Sequence, residues 1–264
     1  MEHLLSLIRQ ARVYDLAQPY FTGMPHWPTH PPFQFSLSKL HGEIRFGTGA
    51  SSAAEAIALG GHVGTHMDAL CHFTFDGKLH GGEAVAGVQS YGGGLERMSI
   101  DTIPPILRRG VLLDIAGHRG VEALAEDFVV TPEHLESAAK THGVDVRAGD
   151  VVVVRTGWAR YWNEPGRYIN GLREPGPEET GARWLSERSV FAAGSDTAAF
   201  ERVPSPEMRV HVHLLVESGI HILEALNLEE LAAARVYEFL FVAAPLKIRG
   251  GTGSPIRPFA VTVS

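Results

Sequence analysis

Cysteine occurs once in the 264 residues, at Cys71. That excludes a disulfide within the chain and any zinc site built on two or more thiolates. Positive charge is also scarce. Lys and Arg total 23 against 30 Asp and Glu, a net charge of -7, and no basic run of five residues occurs. A nucleic-acid groove needs a surplus of Lys and Arg on one face, so no nucleic-acid partner is expected. No apolar stretch approaches the roughly 18–20 residues of a membrane helix. The opening residues, Met-Glu-His-Leu-Leu-Ser-Leu-Ile-Arg-Gln, lack the basic start and long apolar core of a secretion signal. A cytoplasmic protein with a small-molecule partner, away from membranes, is the expectation.

What is present is ordinary in bulk: 44% hydrophobic and 20% charged residues, long enough to bury a large core without staples. Val111–Ile115, Val151–Arg155, Phe191–Ala193 and Val236–Ala244 read as buried strands. Ile256–Val263 reads as a last strand, with Pro258 marking an edge or a bulge. Glu2–Arg12, Pro132–His142, Glu178–Arg188 and Leu228–Arg235 read as helices. Thr131 and Pro132 suit the start of the second, and Gly143 its end. Gly and Pro are spread evenly, with no linker or repeat. The expected architecture is one α/β domain over residues 1–264, a mixed β-sheet core with flanking helices and more strand than helix. The alternation is too irregular for a TIM barrel.

The densest chemistry lies in Gly61-His62-Val63-Gly64-Thr65-His66-Met67-Asp68-Ala69-Leu70-Cys71-His72. Imidazole and carboxylate are the ligands that zinc and manganese accept. On a continuous helix, His62 and His66 share a face and so do Asp68 and His72, but the two pairs point away from each other. On a continuous strand, Asp68 and His72 would stand about 13 Å apart. A bend closes the site, and Gly61 and Gly64 permit one. His66 and Asp68 can then share one side of a short extended piece. The His-Glu-x-x-His of zincins is not present.

The segment resembles the signature His-x-Gly-Thr-His-x-Asp-x-Pro-x-His of the cyclase family of metal-dependent hydrolases, which includes bacterial kynurenine formamidases and isatin hydrolases. It departs at Leu70, where the formamidase pattern has proline, and Asp-Ala-Leu-x-His is closer to the isatin hydrolase branch. The resemblance implies a swivelling β/β/α-like fold. It implies that His62, His66 and Asp68 bind metal and that His72 moves protons. A second segment, His211 to Glu224, is similar to the part of the family pattern whose His and Glu complete a second metal position, with the aspartate bridging. Glu224 aligns there, and His211 or His213 supplies the imidazole; Glu217 and His221 are expected to face solvent. One or two Zn²⁺ or Mn²⁺ ions per subunit are implied, and homodimers or higher homo-oligomers are common in the family.

Other positions carry weaker readings. Tyr14-Asp15-Leu16 and Met24–Pro28 look like the family's pocket-lining N-terminal segment, with Trp27 a candidate aromatic contact to substrate and Trp158 a second. Asp196 either orients site histidines or holds a turn, and the turn is favoured. Cys71 reads as a buried thiol, His80 as a loop residue and Gly250–Gly253 as a turn. The resulting expectation is a hydrolase that opens an amide, lactam or lactone of a small aromatic or cyclic molecule with metal-activated water. The competing readings are kynurenine formamidase proper, a metal-dependent lyase or cyclase, and a metal-binding protein without catalysis.

Overall fold

The computed structural model describes residues 1–263. Nine strands form one curled mixed sheet: β1 (Ala11–Asp15), β2 (His66–Asp68), β3 (Ile106–Asp114), β4 (Val151–Arg155), β5 (Ala192–Ser195), β6 (His221–Glu224), β7 (Glu238–Ala243), β8 (Gly253–Pro255) and β9 (Phe259–Val263). Their order across the sheet is β1-β9-β7-β3-β4-β5-β6-β2-β8. The heart, β3-β4-β5-β6, is parallel, and the strands on either side are antiparallel.

The parallel heart explains why its strands read as unbroken apolar runs rather than as alternation, since both faces are covered. Val152 and Val154 of β4 face one core cluster, while Val151 and Val153 face the other. Helices Pro132–His142 and Glu179–Glu187 cover the first face with Leu135, Ala138 and Leu185. Burying each such side chain is worth about 1.5–3 kcal/mol, so Val153→Asp would break the sheet. The Pro132 helix starts with the expected proline, but its partner at the cap is His134, whose Nδ1 accepts from Thr131 N at 3.1 Å. Gly143 ends it at φ 68°.

The expected elements recur with shifted ends. The first helix stops at Gln10 because β1 begins at Ala11, and β3 starts five residues before Val111, at Ile106. The last strand is a correction. It pairs on both sides, with β1 and β7, so it is not an edge, and Pro258 lies just before it, where its carbonyl accepts from Leu16 N. A two-stranded hairpin, Gln34–Lys39 with Ala54–Ala58, stands outside the sheet and was not foreseen. Phe35 lies opposite Ile57, and with Leu37 they form one apolar face whose side chains are about half exposed, at 49%, 56% and 49%. Among the described residues, no helix is long and apolar enough to cross a membrane.

Candidate active site

Residues 61–72 run against β6 and β8 and place their side chains by sheet register. Glu224 on β6 lies directly opposite His66 on β2, and Ile222 opposite Asp68. Alternate residues of a strand share a face, and cross-strand partners are close neighbours, so His66, Asp68 and Glu224 converge. Gly64 makes the bend at φ 69°, where a Cβ would also collide with the Tyr20 ring. Gly61 serves a different purpose. A Cβ there would lie 2.9 Å from the Gly253 carbonyl oxygen, so it allows close approach to β8. Beyond β2 a turn, closed by His72 N donating to Ala69 O at 2.9 Å, folds His72 back over His62, with ring centroids 3.8 Å apart.

Hydrogen bonds fix the tautomers. His66 Nδ1 lies 2.7 Å from the Gly64 carbonyl, which can only accept, so Nδ1 carries a proton and Nε2 is the nitrogen turned toward the carboxylates. His211 Nδ1 meets Glu201 Oε1 at 2.5 Å, with the same consequence. The two Nε2 atoms face carboxylates: His66 lies 3.1 Å from Glu224 Oε2 and 3.5 Å from Asp68 Oδ1, and His211 lies 3.3 Å from Glu224 Oε1. His66 Nε2, Asp68 Oδ2 and Glu224 Oε1 are buried without a hydrogen-bond partner. Buried polar atoms left without a partner are unfavourable unless a ligand satisfies them. Two groups with metal-ligand spacing are present, His66/Asp68/Glu224 and His62/Asp68/His72, and they share Asp68.

The same field draws protons. Burial opposes charge on His66, but hydrogen bonds to Asp68 and Glu224 outweigh it and push its pKa up to about 10. His211 is likewise opposed by burial and pushed up to about 10 by Glu201 and Glu224. Burial alone would raise Asp68, but His72 and His62 hold it well below the usual carboxylate range. His72 goes the other way: burial first, then the neighbouring histidines against the pull of Asp68, lowers it to about 3, so its ring is neutral at pH 7.

His62, His66, His72, His211 and Glu224 line one side of a cavity of about 290 Å³. Pro25, Trp27, Phe73, Trp162, Tyr168 and Met208 make an apolar and aromatic wall above them, with His26 and His30 at its polar side. No lysine or arginine lines it among the described residues.

Most of the expected residues meet here: His62, His66, Asp68, His72, His211 and Glu224 stand together, and Trp27 is on the wall. Trp158 is not. It is 5% exposed, and its indole donates to Tyr168 O at 2.9 Å; Trp162, one helical turn on, takes the wall position instead. Of the two histidine registers, His211 faces the site. His213 is held away from it by Glu217 at 2.7 Å and Ser186 at 2.8 Å. His211 ends a short α-turn that passes into a π-helix, Val212–Ser218, a form frequent at functional sites. Glu217 is exposed as expected, but His221 is buried, with Nδ1 donating to the Asp68 carbonyl at 2.9 Å. Asp196 holds a turn: it accepts from Thr156 N and Oγ1 and from Gly157 N. Cys71 is buried and its thiol is pushed up to about 11 by burial.

Sequence reading missed two contacts. Glu201 fixes His211, and Thr252 Oγ1 lies 2.8 Å from His62 Nε2. Gly250–Gly253 is therefore more than a turn, since it ends in β8 and carries that hydroxyl to the site. No local signal marks Glu201, and the glycines of Gly250–Gly253 read as a turn because the segment lacks the Gly-Lys-Ser/Thr of a phosphate loop.

Comparison with known proteins agrees in extent. The sequence pattern of the family described as putative cyclase matches residues 14–202. The chain is 27% identical over 213 residues to the isatin hydrolase of Roseibium aggregatum, covering 78% of this chain and 73% of that protein. It is 25% identical over 243 residues to a kynurenine formamidase of Bacillus cereus, covering 92% and 94%. Among solved structures, one described as a novel cyclase superposes with a TM-score of 0.89 at 29% identity, covering 99% of this chain and 90% of that one. Isatin hydrolase A from Ralstonia solanacearum superposes at 0.76 with 25% identity, covering 99% and 96%. The expected single α/β domain with a mixed sheet is thus the fold observed.

Proposed function

The chain belongs to the putative cyclase family, and from that membership we propose a metal-dependent hydrolase, one domain over residues 1–264, that opens an amide, lactam or lactone of a small aromatic or cyclic molecule. The observation that carries this is the convergence of His66 Nε2, Asp68 Oδ2 and Glu224 Oε1, buried and unpartnered, where His66 and Glu224 line an aromatic cavity. Their donor set, two oxygens and imidazole nitrogen, suits Zn²⁺ or Mn²⁺. His62, His66 and Asp68 would hold one divalent ion, and His211 and Glu224, with Asp68 shared, a second. When bound, such an ion supplies Lewis acidity toward the substrate carbonyl and brings the pKa of water toward neutrality.

The chain's own residues do the rest. The aromatic wall of Trp27, Phe73 and Trp162 stacks on the ring of the substrate and keeps bulk water out. His72, neutral and beside His62, takes the proton that water loses as it attacks the carbonyl carbon. It returns that proton to the nitrogen or oxygen as the bond to it breaks. One water is consumed, and the products are a carboxylic acid and an amine or alcohol, joined in one molecule when the substrate is a ring. Isatin hydrolase and kynurenine formamidase relatives give two substrate readings. A wall without lysine or arginine favours an uncharged ring over the amino-acid end of N-formylkynurenine.

The half-exposed apolar face of the hairpin supports assembly with a second copy of the chain, since such faces mark interaction surfaces. The deciding experiment is metal analysis with a panel of lactams, lactones, formanilide and N-formylkynurenine, with and without chelator. Chelator-sensitive release of one carboxylic acid per water is expected. Turnover that survives metal removal, or a ring-closing product, would remove this reading in favour of a metal-independent enzyme or a lyase.

A further inference from the structure

We infer that Glu201 is the positioning residue of His211, delivered to it by a bend at Phe200 packed against Gly176. This rests on the proposed role of His211 as a metal ligand. Glu201 is 1% exposed, and its Oε1 accepts twice from one residue: from the His211 ring at 2.5 Å and from the His211 backbone N–H at 3.1 Å. The first contact sets the rotation and tautomer of the ring, and the second sets where the short helix Arg209–His211 begins. A ring held in this way has one free nitrogen, Nε2, and it points at Glu224 Oε1 (3.3 Å) and Asp68 Oδ2 (3.9 Å). Phe73 packs against the ring, with centroids 4.7 Å apart, and offers no polar atom.

The segment that carries Glu201 is built for the purpose. Phe200 is fully buried yet sits at φ 56°, a region that bulky side chains seldom occupy. A Cβ on Gly176 would collide with the Phe200 carbonyl oxygen and lie 2.6 Å from the carbonyl carbon of Glu201. Burying a carboxylate is unfavourable unless it is paired, and the His211 ring and backbone N–H pair this one, with a side-chain hydrogen bond from Ser205 beside them. Carboxylates that fix the far nitrogen of a metal-bound histidine typically govern affinity by 10–100-fold.

The test titrates chelator-stripped full-length protein with Zn²⁺ by calorimetry and records the visible spectrum of the Co²⁺-loaded form, for the native chain and for Glu201→Gln, Glu201→Leu and His211→Ala. Glu201→Gln should weaken one metal equivalent about 10–100-fold, leave the other unchanged, and alter the Co²⁺ bands. Glu201→Leu should weaken it further. Native affinity and an unchanged spectrum in Glu201→Gln would overturn the proposal, and because that variant is isosteric it decides even where Glu201→Leu does not fold. Native affinity in His211→Ala would defeat the ligand reading and this proposal with it. Weakening in His211→Ala with none in Glu201→Gln would defeat this proposal alone.

Discussion

Two buried carboxylate clusters lie at the same end of the central sheet, and they differ in one respect. Asp196, just past β5, accepts hydrogen bonds from Thr156 N, from Thr156 Oγ1 and from Gly157 N, so its lone pairs face donors. Asp68 and Glu224, on β2 and β6, lie against the His66 and His211 rings and keep Asp68 Oδ2 and Glu224 Oε1 without a hydrogen-bond partner. Burial is nearly complete in both, so burial does not separate them. The balance of donors to acceptors does. A cluster satisfied from within the chain is a fastening, and one left with unpartnered buried polar atoms is a place for a ligand. Both sit where parallel strands present their carboxyl ends, the usual position of a binding crevice in open α/β sheets.

The largest effect that would test this contrast is Asp68→Asn. Both metal groups share Asp68, so metal should be lost with several kcal/mol of transition-state stabilisation, about 10³-fold in kcat/KM. Metal content and turnover both near native would erase the distinction between the clusters. Next is His72→Ala, expected to retain metal while turnover falls about 10²–10⁴-fold. Because His72 also stands within ligand distance of His62 and Asp68, metal loss in this variant would recast it as a ligand. Asp196→Asn should do the reverse of Asp68→Asn. It sets an amide N–H₂ against the Gly157 N–H and should lower stability by about 1–3 kcal/mol, read by urea unfolding, with metal content unchanged.

The smallest effect concerns Glu174, 2% exposed, whose carboxyl is pushed well above its usual value by burial, against a hydrogen bond from Ala198 N and with Glu224 and Asp196 adding to the rise. The folded state therefore holds a proton that the unfolded chain releases near its ordinary pKa. The stability that this proton confers is complete below the unfolded pKa and is lost as pH rises toward the folded one. Glu174→Gln should match the native protein in acid and unfold at progressively higher urea than it does as pH rises toward neutrality. A gap that does not grow with pH would refute this.

How much of this could be read from residues alone follows from range. His62, His66, Asp68 and His72 lie within one turn of chain, so their spacing and the glycines between them announced a bend. Thr252 meets His62 across 190 positions, and Glu201 reaches His211 from an irregular segment, so neither has a periodic signal. The choice between His211 and His213 depended on a π-helix, whose extra residue per turn no pattern showed. Trp158 and Trp162 both lie at a short helical turn, and only its rotation decided which indole met the cavity. The hairpin carries a local signal, since Phe35-Ser36-Leu37-Ser38 alternates apolar and polar as a strand does.

The register that places Glu224 opposite His66 has an evolutionary consequence. A one-residue slip of β2 would send His66 and Asp68 to the other side of the sheet, so the His66, Asp68 and Glu224 cluster can be inherited only as a block. The aromatic wall comes from loops near Trp27, Phe73 and Met208 that no ladder constrains. Descendants of such a scaffold are free to change their diet while keeping their chemistry.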